Sequence, residues 1–205
     1  MKKIGTIFIL IGIVLFMFVI YTKGKTYFEQ QKLIKEYTSL NFSSEYDEDS
    51  PKQLEVKKGD TIGILKISKI NLKTPIVEGA SQENIRYAVG HLPSSCSTTE
   101  LGNKNQNFVI AGHRSYTYGK FFNRLDELKK GNKIIIYVQN RVLTYKVFKK
   151  KIVDPKEIDV INPMKGKSMV TLITCHPPYS DKQRLIIFSE LESEKVLNGA
   201  ELMKK

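Results

Sequence analysis

Three short segments carry side chains that could act together on a carbonyl group. In Thr171-Leu172-Ile173-Thr174-Cys175-His176-Pro177-Pro178 a run of strand-forming residues ends at a cysteine, and two prolines then force the chain out of any sheet. A thiol at a strand end can be well positioned and exposed at once, which makes Cys175 a candidate nucleophile. A small buried core residue is the competing reading, since free cysteines are usually buried. In Asn107-Phe108-Val109-Ile110-Ala111-Gly112-His113-Arg114 a second apolar strand ends in a histidine, after a glycine that admits unusual backbone geometry or a close approach. An imidazole there can partner the sulfur and later protonate a leaving amine. A hydrogen-bonded structural histidine competes with that role. The third segment is Asp181-Lys182-Gln183-Arg184-Leu185, where Arg184 opens the last strand a few loop residues after Cys175. A hairpin-like return brings its guanidinium beside the sulfur, where it could stabilise negative charge developing on a carbonyl oxygen. A solvated surface charge is the plainer reading of Arg184, and Asp181 reads as a turn residue.

The chain has three histidines, and their settings rank them as partners of Cys175. His113 has the best strand support. His91 lies in Gly90-His91-Leu92-Pro93, a rim position in a loop. His176 follows Cys175 directly, and neighbours in extended backbone point to opposite faces, so it comes last. Cys96, Cys175 and the histidines lack a C-x-x-C pair and are widely spaced, so no metal and no cofactor is expected. Two cysteines could form one bridge outside the cell, but the setting of Cys175 favours a free thiol. Of the aromatic cluster Tyr116, Tyr118, Phe121 and Phe122, Phe121 is expected in the core, while Tyr116 and Tyr118 line a groove or pack within their loop.

The elements that must hold these groups are mostly strands. Runs rich in Ile, Val, Thr, Tyr and Phe fall at residues 61–68, 74–78, 107–111, 134–138, 143–153, 168–175 and 184–191, with a hairpin turn around Gln139, Asn140 and Arg141. Residues 120–130 place Phe121, Leu125 and Leu128 at helical spacing before Gly131, which predicts a helix, and residues 81–87 predict a helical turn. Many strands with two short helices predict a largely antiparallel barrel or sandwich rather than a doubly wound α/β fold.

Ahead of these strands, Lys2 and Lys3 precede an uncharged apolar run from Ile4 to Tyr21. A run of 18 or more such residues reads as a membrane-spanning helix, because a helix needs about 20 residues to cross the hydrocarbon layer. No A-x-A cleavage site follows, so an uncleaved anchor in contact with membrane lipid is expected. The predicted organisation is an anchor at 1–22, a stalk with a short helix and a polar tether at 23–58, a β domain at 59–192 and a polar tail at 193–205. The net charge of +12 suits an anionic surface, either phospholipid headgroups or an acidic cell wall. Scattered lysines and the absence of a Cys/His finger argue against a nucleic-acid partner.

Taken in order, these segments resemble the sortases. The opening strands Thr61-Ile62-Gly63-Ile64-Leu65-Lys66-Ile67 and Thr74-Pro75-Ile76-Val77-Glu78-Gly79, then Ala88-Val89-Gly90-His91-Leu92-Pro93, Ala111-Gly112-His113-Arg114, the T-L-x-T-C signature at Thr171–Cys175, and Arg184-Leu185 all match that family's pattern. The resemblance implies a closed eight-stranded sortase-type β-barrel with short helices, behind an N-terminal transmembrane helix. It also implies a cysteine transpeptidase on the outer side of a bacterial membrane. Carried over by motif, Cys175 attacks an LPxTG-like C-terminal sorting signal on surface proteins, His113 is its acid/base partner, and Arg184 stabilises the oxyanion or positions the peptide. The acyl group then passes to an amine of a peptidoglycan precursor or wall stem peptide. Thr174, His91, Tyr116 and His176 are the residues expected to contact substrate. The Cys-His-Pro-Pro segment and simple anchor look most like class D, then class A. A tethered, non-catalytic β module that binds wall or sorting peptides is the alternative. A papain-like hydrolase fits less well, because here the histidine precedes the cysteine.

Overall fold

The computed structural model describes residues 2–42, 56–114 and 121–197. One helix, α1 (Lys2–Phe42), precedes eight strands: β1 (Thr61–Ile67), β2 (Leu72–Glu78), β3 (Val89–His91), β4 (Gln106–Ala111), β5 (Lys133–Val138), β6 (Arg141–Val153), β7 (Ser168–His176) and β8 (Gln183–Val196). They close into a barrel in the order β1-β2-β3-β4-β7-β8-β6-β5. β2 pairs with β3, and β4 with β7, in parallel; every other pairing is antiparallel.

The period-2 alternation of each strand sends one set of side chains inward. Phe108 and Ile110 of β4, Val170 and Leu172 of β7, Leu185 and Ile187 of β8, and Ile134 and Ile136 of β5 form one buried cluster. Each such side chain contributes about 1.5–3 kcal/mol by leaving water. Phe121, Phe122, Leu125 and Leu128 join the same cluster and plug one end of the barrel. The alternate residues Met169, Ile173, Ile186 and Phe188 face outward and would be wet if nothing covered them. The connection from β6 to β7 folds over them, and its Val160, Ile161 and Met164 complete a second, outer core. Thr171 Oγ1 donates to Asn107 Oδ1 at 2.8 Å, and Asn107 Nδ2 donates to the Ile161 carbonyl at 2.9 Å, which pins this cover to β4 and β7.

The expected short helix after the anchor is instead one unbroken α1. Thr26 and Tyr37 are buried among exposed neighbours, with Gln30, Leu33 and Ile34 half-buried between them. This stripe of helical spacing faces β1 and β2. The Tyr37 hydroxyl accepts a hydrogen bond from the Gln139 amide at 2.7 Å, in the β5–β6 turn. The C-terminal half of α1 is therefore packed on the barrel rather than hanging as a tether. The rest of the expected polar tether, 43–55, lies outside the described residues. β8 continues to Val196, beyond the expected end of the β domain at 192.

Two further expectations are corrected. Residues 121–130 form turns and one short 3-10 helix, Leu125–Glu127, not a continuous helix. The apolar spacing signalled burial correctly, but the segment must close the mouth of a barrel, and Phe121 sits at φ 61, where no α-helix can run. Residues 88–93 contain β3, which three residues could not announce by periodicity. Its Gly90 lies under the turn at Gly79-Ala80, and an added Cβ would stand 2.6 Å from the Gly79 carbonyl oxygen and from Ile85 Cγ2. The expected outcome of Gly90→Ala is a loss of about 1–3 kcal/mol by overpacking, seen as a fall of roughly 2–12 °C in the midpoint of thermal unfolding by circular dichroism.

Candidate active site

Cys175 lies near the end of β7, flanked by two strands that converge on it. On one side, antiparallel β8 places Arg184 as its register partner. On the other, β4 runs parallel to β7 with Ala111 opposite Ile173, and the Gly112 amide still donates to the Ile173 carbonyl at 3.1 Å. Continuing that register by two residues brings His113 level with Cys175. Register partners share a face of the sheet. Leu172, Leu185 and Ile110 point into the barrel, so the odd-numbered neighbours Ile173, Cys175 and His113, together with Arg184, belong to its outer face. Cys175, His113 and Arg184 are each half-buried. The Arg184 guanidinium is held at the β7–β8 loop, where Nη1 donates to the carbonyls of Asp181 at 2.7 Å and Gln183 at 3.1 Å.

Between these strands lies a supporting layer. Thr174, expected to touch substrate, instead faces the interior, and its hydroxyl donates to the Gly112 carbonyl at 2.7 Å. It fastens the cysteine strand to the residue before the histidine. Gly112 has no side chain because Phe122 occupies that space: an added Cβ would stand 2.8 Å from the ring. The Phe122 amide in turn donates to the His113 carbonyl at 3.2 Å. The end plug thus sets the backbone that carries the imidazole.

Arg114 was not singled out by its sequence neighbourhood. Its guanidinium is buried and donates to His176 Nδ1 at 2.8 Å and to Asp126 Oδ1 at 2.8 Å. Arg114 follows His113 and His176 follows Cys175, so this contact ties the two segments together. A basic residue beside a candidate histidine was the available signal; its partner Asp126 is distant along the chain and could not be guessed. His176 sits at the rim, half-buried.

His91, expected at the rim, is instead 3% exposed. Its Nδ1 meets Glu78 Oε2 at 2.8 Å, and its Nε2 lies 3.0 Å from the Cys96 carbonyl and 3.0 Å from Ser95 Oγ. Its ring stacks on Phe108 at 4.3 Å. Both nitrogens are engaged, Nδ1 with Glu78 of β2 and Nε2 with the loop after β3, leaving none for substrate. Tyr116 and Tyr118 lie outside the described residues. Among the described residues no group of three or more His, Cys, Asp or Glu is placed to hold a metal ion.

Both cysteines are free, but their surroundings differ. Burial, with the nearby Glu100 carboxylate, pushes the Cys96 thiol up to about 12. Cys96 therefore remains a neutral thiol throughout the ordinary pH range, and the neutral thiol is a poor nucleophile. Iodoacetamide at pH 8 is expected to modify native protein once, at Cys175, and to reach Cys96 only after denaturation; peptide mass mapping checks this.

The site lies at one rim of a closed barrel, with a half-buried thiol register-matched to an arginine and a histidine on the extension of the neighbouring strand. The sortase domain family matches residues 65–192. The chain belongs to the sortase family. It is 35% identical over 119 residues to sortase D of Bacillus subtilis, covering 58% of this chain and 56% of that protein. It is 27% identical over 205 residues to sortase SrtE1 of Streptomyces coelicolor, covering 95% of this chain and 58% of that one. The chain thus spans little more than half the length of these curated relatives. A solved structure of a Clostridium perfringens sortase D5 transpeptidase superposes with a TM-score of 0.68 at 27% identity, covering 80% of this chain and 98% of that chain. Sortase E1 from Streptomyces coelicolor, solved with a tripeptide in the active site, gives 0.61 at 27% identity, covering 67% and 91%.

Proposed function

We propose that this chain is a membrane-anchored cysteine transpeptidase that cleaves an LPxTG-like sorting signal and transfers the acyl group to a cell-wall amine. The observation that supports the reading is the register of β7 with β8, which pairs Cys175 with Arg184, beside β4, whose ladder with β7 ends two residues before His113.

In the first half-reaction the Cys175 sulfur attacks the carbonyl carbon of the scissile bond. The C–S bond forms as the C–N bond breaks, and His113 delivers a proton to the departing amine. Arg184 stabilises the carbonyl oxygen while it carries negative charge. In the second, an incoming amine attacks the thioester, His113 accepts a proton from it, and sulfur leaves as the new amide forms. The outer core beside Ile173 supplies an apolar wall on which an extended peptide can lie. His176 at the rim is a substrate contact in this reading, and Tyr116 is a second by the resemblance alone. Similarity to sortase D of Bacillus subtilis and to the D5 structure supports a class D-like member. The acyl acceptor in this reading is a peptidoglycan precursor or stem peptide.

The apolar part of α1 is long enough to cross a membrane. In this reading residues 1–22 are the anchor, the N-terminus is cytoplasmic, and the barrel works outside. Full-length protein incubated with LPxTG-type peptides and an amine acceptor is expected to give a thioester mass on Cys175 and a ligated peptide. Cys175→Ala should abolish both, and His113→Ala and Arg184→Ala should each lower kcat/KM by roughly 100-fold or more. Folded protein that forms no adduct across varied peptides and acceptors would leave the binding-module alternative in place.

A further inference from the structure

The direction of α1 along the barrel fixes which end of the molecule meets the membrane. Tyr37 reaches Gln139, at the β5–β6 turn, whereas Gln30 Nε2 donates to Thr74 Oγ1 at 3.5 Å, near the start of β2. Seven residues back along α1 therefore lead towards the other end of the barrel. Thr26, four residues further back, is still buried, and the apolar run ends at Tyr21. The barrel thus reaches almost to the membrane boundary.

The end that α1 approaches is the one carrying Cys175. The plug segment crosses it: the Phe122 amide bonds the His113 carbonyl, and Arg124 Nη1 donates to the Ile70 carbonyl at 3.2 Å, just before β2. Its exposed lysines include Lys69, Lys129, Lys130 and Lys182, with Lys69 acting electrostatically on Glu127 and the exposed Asp126 and Asp181 nearby. Tyr179, 82% exposed in the β7–β8 loop, stands at the same end. At the far end Arg141 and Lys167 pair with Glu194 and Glu190, while Lys104 and Lys165 are exposed and in no ion pair among the described residues, so the direction of α1 rather than the charge tells the two ends apart. Exposed lysines with an exposed tyrosine, at the end that α1 approaches, suit an anionic headgroup layer.

We infer that the reactive end of the barrel rests on the anionic surface of the membrane that α1 crosses, so that the groove opens along the lipid plane. This rests on the membrane-anchored reading above. It places the enzyme where a peptide still held in the bilayer, and a lipid-linked amine, would both arrive.

The test uses full-length Cys175→Ala protein in nanodiscs carrying headgroup quenchers, with fluorophores attached at Lys69→Cys, Lys130→Cys, Lys104→Cys or Lys165→Cys. Labels at 69 and 130 are expected to be quenched several-fold more than those at 104 and 165. Replacing phosphatidylglycerol by phosphatidylcholine, or introducing Lys69→Gln with Lys129→Gln and Lys182→Gln, should reduce quenching at 130. Equal quenching at both ends, stronger quenching at 104 and 165, or indifference to lipid charge overturns the inference. The measurement needs no catalysis, so it stands or falls separately from acyl transfer: an inactive enzyme can still show the pattern, and an active one can lack it.

Discussion

The parallel pairing of β4 with β7 is the constraint on which the site depends. Parallel strands need a long crossover, and here the crossover contains β5 and β6 as well as the end plug and the outer cover. Across that span Ala111 must settle opposite Ile173. Once it does, the residues beyond the ladder have little freedom, because the Thr174 hydroxyl and the Ile173 carbonyl hold Gly112 from the β7 side. The arginine comes more simply, from the hairpin-like return of β8. A local turn and a long-range crossover thus set β8 and β4 on either side of the cysteine strand.

Much of this could be read in the sequence. Seven of the eight strands announced themselves through β-branched and aromatic runs, and Cys175, His113 and Arg184 each fell at a strand end where exposure and positioning coincide. The buried Phe121, Phe122, Leu125 and Leu128 were also legible as an apolar set, but helical spacing was the wrong template for them. A plug has to offer side chains to a closed mouth from one direction, and turns satisfy that demand as well as a helix does. β3 escaped notice because its identity lies in its neighbours: β2 and β4 supply the hydrogen bonds, and Gly90 supplies only the absence of a side chain.

The histidines show where local reading stops. His91 and His113 both follow a glycine near the end of a short strand. What separates them is Glu78, thirteen residues away on β2, and the Ser95 and Cys96 groups of the following loop, which together saturate the His91 ring. A histidine with both nitrogens engaged in the interior is a fastener. Arg114 is the converse case, a charge that is buried because Asp126 and His176 receive it. The docked half of α1 went unread for a related reason: its stripe is weak, and the barrel face that accepts it is assembled from strands far along the chain.

The chain has only two cysteines, and they cannot help one another. Cys96 is buried within the loop after β3, while Cys175 stands half-buried at the rim. If peroxide converts the rim sulfur to a sulfenic acid, no second thiol within the molecule can condense with it to give a protective disulfide. Recovery then depends on a reductant supplied from the surroundings, and without one, further oxidation to the sulfinic state is irreversible. A protein built with a single accessible sulfur has no internal redox repair, so its working lifetime in an oxidising environment is set by the thiols around it.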